Sequence, residues 1–188
     1  MLPGEYVSIL ATLILGLAMA DLAQSFHRLM TAPAPVRWHW LSPLLALTML
    51  LLILSFWWAS FRWYSTLENV TIGGILPDIA LFLTLFLATA VVLPDQVPAE
   101  GIDLKDYYLS RASYFWGLQA AIIVAVMISA ALRSEAWTSD FLLGQVNNVV
   151  VGGIALLLVF YRRMWLDTSF SVLMLVMAIA VHAGTSMR

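Results

Sequence analysis

Apolar residues gather into six runs along the chain, and short polar breaks separate them. A membrane-crossing helix needs about 20 mostly apolar residues. The pattern therefore predicts an all-α, polytopic membrane protein, a single integral-membrane domain over 1–188 built as a bundle of six transmembrane helices. The expected helices cover 6–26, 40–61, 75–93, 104–132 (membrane part 110–132), 141–161 and 168–183. Ser42 and Pro43 suit the first turn of the second, whereas Pro77 either opens the third or kinks it. Asp103, with Asp106 three residues on, predicts a capped start for the fourth. Asp78 and Asp167 are read in the same way, as N-caps of the third and sixth.

Polar positions inside this pattern are few, which makes each of them informative. Asp21, Gln24, Ser25 and Arg28 fall at i, i+3, i+4 and i+7 and form one stripe on the first helix. A carboxylate on a membrane helix costs about 2.5 to 3.5 kcal/mol at the bilayer centre, so ionisable groups there usually face an interior, a cavity or a partner. The fifth helix carries Gln145, Asn147 and Asn148, and the fourth carries Gln119. Amides in lipid seek partners across helix interfaces, or they line a pathway.

Small residues recur at four-residue spacing on several helices. They are Thr12, Gly16 and Ala20, then Ala80, Thr84 and Ala88, then Gly117, Ala121, Ala125 and Ser129, and last Gly144, Asn148 and Gly152. Such faces let membrane helices approach closely, within one chain, in a homo-oligomer or against a partner membrane protein. The first of them points away from Asp21, so the first helix is expected to pack on two sides.

Composition agrees with a lipid environment. Of 188 residues, 62% are hydrophobic and 11% charged, with a mean hydropathy of +0.92. A soluble domain carries about 25% charged residues. A net charge of −2 gives no reason to expect nucleic acid as a partner. The first run lacks a basic leader and a cleavage site, so it is read as a retained helix and not as a signal peptide. The eight tryptophans are read as interfacial anchors. Basic residues set the expected orientation. Arg28, Arg37, Lys105, Arg111, Arg162 and Arg163 follow odd-numbered helices, whereas Arg62, Arg133 and Arg188 lie on the other side. Both termini are then extracytoplasmic, in a cytoplasmic (inner) membrane.

Several chemistries drop out. With no cysteine there is no thiolate metal site, iron–sulfur cluster or thiol nucleophile. The sole lysine, Lys105, lies in a loop, and no H-E-x-x-H, G-x-S-x-G or phosphate-loop motif occurs, so no enzyme activity is expected. Three functional classes stay open. One is a channel or transporter for an ion or small solute, with a polar vestibule around the first helix. Another is a non-transporting accessory, assembly or sensor subunit, docked through the acidic inner loop. The third is a haem- or metal-binding electron carrier using His27 and His39, which a hairpin brings to similar depth; His182 is expected at the opposite face.

Overall fold

The computed structural model describes residues 2–134, 136, 138–161 and 163–184, the last four by backbone alone. Trp137, Arg162, Arg188 and the side chain of His182 lie outside the described residues. Six helices follow one another: α1 (Pro3–Thr31), α2 (Leu41–Tyr64), α3 (Ile72–Val92), α4 (Leu104–Arg133), α5 (Ser139–Phe160) and α6 (Met164–Gly184). The first five are long and apolar enough to cross a bilayer, and α6 contributes a shorter apolar stretch, Met164–Ala180. The protein is a multi-pass, all-α membrane protein.

Helix starts differ from the expected ones where an acid beside Pro77 or Thr168 resembles a cap. In α1, Pro3 takes the first position and the Glu5 carboxylate accepts from the Leu2 N–H (3.0 Å). Asp103 caps α4 as its spacing predicts, accepting from Lys105 N (2.9 Å) and Asp106 N (3.4 Å). For α3 the cap is Thr71, whose hydroxyl accepts from Gly74 N (3.2 Å), so the helix starts before the Gly73–Gly74 pair and Pro77 falls inside it. Proline removes a bond to the carbonyl four residues back; that residue, Gly73, is exposed. Asp78 is consequently an interior residue of α3 and no cap. Asp167 is corrected likewise, since α6 begins at Met164 and buries it in the second half of the first turn.

The core is made chiefly by α1 to α4, with Ala155 and Leu158 of α5 and Phe170 of α6 added to it. The buried residues of α1, namely Val7, Ala11, Leu15, Ala18, Leu22, Ser25 and Leu29, recur at three- and four-residue intervals and give one continuous seam. It packs against α2 and α3, and α3 in turn packs against α4. Small side chains at the contacts, Ala11, Ala18 and Ala88 among them, let the backbones approach. The expected second face of α1 is not used in this chain: Thr12, Gly16 and Ala20 are exposed, and nothing stands within 4 Å of a Cβ built on Gly16. Thr12 still accepts from the Trp57 indole (3.2 Å). Of the α5 set, Gly152 meets α4, where an added Cβ would stand 3.0 Å from Ile123 Cγ2. Helix α5 rests chiefly on α4 and α6 chiefly on α2.

At the end of the bundle opposite the termini, the α1–α2 and α3–α4 connections meet in a short parallel pair, β1 (Val36–Arg37) with β2 (Ile102–Asp103). Gly101 precedes it with φ +93°, and an added Cβ would stand 2.4 Å from the Pro35 carbonyl oxygen. Both facts demand glycine. Gly101→Ala is expected to destabilise the protein by about 2 kcal/mol. Thermal unfolding in detergent checks this, and a melting temperature equal to wild type would contradict it.

Candidate functional site

The chain puts a single charged residue between Glu68 and Asp95, and the fold buries it. Asp78 is 3% exposed, six residues into α3, at the end of the bundle that carries the termini. Three side chains from two other helices converge on it. Ser129 donates to Asp78 Oδ1 (2.7 Å), and the Tyr64 hydroxyl and the Arg133 guanidinium both donate to Oδ2. Local structure explains the convergence. Ser129 and Arg133 are four residues apart, on one face of the last turns of α4, and Tyr64 is the final residue of α2. Burial of the carboxylate requires such partners, because a lone ionised acid is prohibitive in low dielectric.

Arg133 has a second anchor. Its guanidinium carbon lies 4.7 Å from the centre of the Trp63 ring, within cation–π range. It also closes the C-terminus of α4, where a cation suits the helix dipole. Beside the cluster is a cavity of about 200 Å³. Asp78, Arg133, Ser60 and Ser129 form its polar part, and Phe56, Leu81, Phe82 and Val126 are among its apolar walls. The arrangement can hold one small polar or charged group at the carboxylate while the guanidinium stays over the indole. Residue-type scanning passes over this site because Asp78 beside Pro77 looks like a cap. A cue was present in its isolation, together with the Ser129–Arg133 spacing.

The stripe predicted on α1 sits at the other end. Ser25 is buried and donates to Asp95 Oδ1 (3.2 Å). Arg28 donates to the Asp95 carbonyl (3.1 Å) and to Gln24 Oε1 (3.1 Å), and lies 3.9 Å from the Asp95 carboxylate. Asp21 is half-buried and within electrostatic range of Asp95 and Arg28. The stripe therefore docks the start of the α3–α4 connection. An open groove of about 580 Å³ runs beside it, lined by Arg28, Thr31, Pro33, Asp95 and Gln96 among others.

The other candidates are dispersed. Gln119 is buried in mid-bundle, its amide nitrogen 3.1 Å from Met49 Sδ, and faces α2 instead of α5. Gln145 and Asn148 are half-buried and bond to each other (2.8 Å), whereas Asn147 is exposed. His27 is exposed, and His39 Nδ1 accepts from Leu41 N (3.3 Å) at the start of α2. Among the described residues no three His, Asp or Glu side chains group as metal ligands.

Trp116 corrects the reading of every tryptophan as an interfacial anchor. It is fully buried, its ring lies 5.4 Å from that of Phe170 of α6 at a tilt of 50°, and it donates to the Tyr108 hydroxyl (3.0 Å). Tyr108 and Trp116 both lie against the Asp167 carboxyl, whose Oδ1 has no hydrogen-bond partner among the described residues. Trp38, Trp40, Trp57, Trp63 and Trp165 are exposed, as anchors are.

Compared with family models, with curated proteins and with solved structures, the chain matches none.

Proposed function

We propose that this membrane protein carries an ion or small solute, with Asp78 as the group that holds it. One observation supports the reading above others: a buried carboxylate adjoins a small cavity, and its cationic partner has another place to rest. A cation or cationic group entering the cavity exchanges with Arg133 at Asp78, while Arg133 keeps its contact with Trp63. Intramembrane acids with this environment mark ion and substrate pathways. On the basic-residue count we read this site as lying in the extracytoplasmic half of the cytoplasmic membrane, with the Asp21–Arg28–Asp95 cluster at the cytoplasmic mouth.

An accessory, non-transporting role is the second reading, and one feature favours it. Between the two polar ends the core is closed by Leu15, Leu45, Met49, Leu85 and Trp116, with Gln119 set among them. A carrier must open this layer, whereas a docking subunit leaves it shut. Purified protein in sealed vesicles separates the two. Flux of protons, alkali cations and small organic cations is expected to exceed that of empty vesicles. Asp78→Asn, which keeps the shape and removes the charge, is expected to lower that flux at least tenfold. Flux equal to empty vesicles for every solute, or equal in Asp78→Asn and wild type, would overturn the carrier reading.

A further inference from the structure

A second surface stands apart from the Asp78 cluster. Helix α5 presents Leu143, Asn147, Val150, Ile154 and Leu157 at alternating intervals of four and three residues, the spacing of a heptad seam. Apart from Ile154, which packs against the core on one side, this seam is not covered by the rest of the chain among the described residues. Leu143, Val150 and Leu157 are 69%, 53% and 56% exposed, Asn147 is exposed and Ile154 half-buried. Asn147 lies eight residues into the helix, about 12 Å from its start and so within the hydrocarbon layer. Its neighbours Gln145 and Asn148 satisfy each other, but the Asn147 amide makes no hydrogen bond among the described residues. An amide at that depth requires a partner, since lipid offers none.

We infer that α5 is the interface of a parallel homodimer, with Asn147 paired to its counterpart in a second copy of this chain. A second copy satisfies the Asn147 amide. A twofold axis along the membrane normal sets two copies of α5 side by side and parallel, which brings each residue opposite itself at equal depth. Only a group that both donates and accepts can satisfy itself in that position, and an amide does. The sequence of the seam agrees. With Asn147 and Ile154 at a positions and Leu143, Val150 and Leu157 at d positions, it sets a β-branched residue at one a and leucine at two of three d positions, as two parallel strands do, and a single asparagine at a fixes register. Gly144 and Gly153 border the seam, and nothing lies within 4 Å of where either Cβ would stand, so the flanks leave room for close approach.

The absence of cysteine makes the test direct, because each introduced thiol reports one position. Leu143→Cys, Val150→Cys and Leu157→Cys lie on the seam, while Val149→Cys and Leu156→Cys are comparably exposed but lie off it. Oxidation in vesicles at low protein-to-lipid ratio is expected to give covalent dimers at the three seam positions, at least fivefold above the two controls. Fluorescence energy transfer between labelled copies is expected to show Asn147→Val weakening association by about threefold to tenfold. Equal cross-linking at seam and control positions, or none at either, would overturn the dimer. Association of Asn147→Val equal to wild type would overturn the role given to the amide. Neither measurement depends on whether the protein transports anything.

Discussion

Asp78→Ala is expected to lower stability by about 3 kcal/mol, among the largest effects of any single change in the bundle. Removing the carboxylate leaves the Arg133 charge without its acid and strands the Ser129 and Tyr64 hydroxyls, which lose their acceptor together. Leaving one partner of a buried pair alone costs more than removing both. Arg133 is about one-third exposed, which moderates the cost of stranding it. The double variant Asp78→Leu/Arg133→Leu should therefore recover at least half of the loss, and Ser129→Ala should cost about 1 kcal/mol. Denaturant unfolding in detergent compares the three. A double variant less stable than Asp78→Ala would show that the pair contributes net attraction beyond mutual satisfaction.

Trp116→Ala comes next, with an expected loss of about 3 to 5 kcal/mol. The substitution empties a fully buried site between α4 and α6 and takes away the indole N–H that the Tyr108 hydroxyl accepts. Trp116→Phe keeps most of the volume and loses that bond, so a smaller loss, about 1 to 2 kcal/mol, is expected. Trp165→Ala, 65% exposed at the start of α6, is the control and should stay within about 0.5 kcal/mol of wild type. The same unfolding assay ranks the three. If Trp116→Ala matched Trp165→Ala, the burial of Trp116 against Phe170 would be wrong.

Residue patterns reveal the helices of this protein better than their partners. Apolar runs of membrane length signal the spans because lipid leaves the backbone little alternative to helix. Where local chemistry is ambiguous, the pattern misleads. Asp78 after Pro77 and Asp167 before Thr168 both have the look of caps, yet Thr71 and the turn at Met164 start those helices earlier. Each acid then falls one or two turns inside, where tertiary partners decide its role. The α1 stripe was legible because its four polar residues share one face. Its partner Asp95 was not, since nothing local ties the start of a distant loop to that face. Trp116 was hidden for the same reason: an indole at a membrane interface and one in the core are alike in sequence, and only the arrival of α6 distinguishes them.

The placement of α6 also bears on how the chain is made. Its main support is α2, which is synthesised long before it, while α5, its immediate predecessor, settles on α4. Helices α1 to α4 meet through α1 with α2, α1 with α3 and α3 with α4, and share the β1–β2 clasp, so they can assemble once α4 has emerged. The flank of α2 that receives α6 must meanwhile stay in contact with lipid or a chaperone. Contacts between segments so far apart in sequence form slowly. Covering that flank of α2 thus waits on α6, and in the interval before it arrives the exposed face is open to degradation.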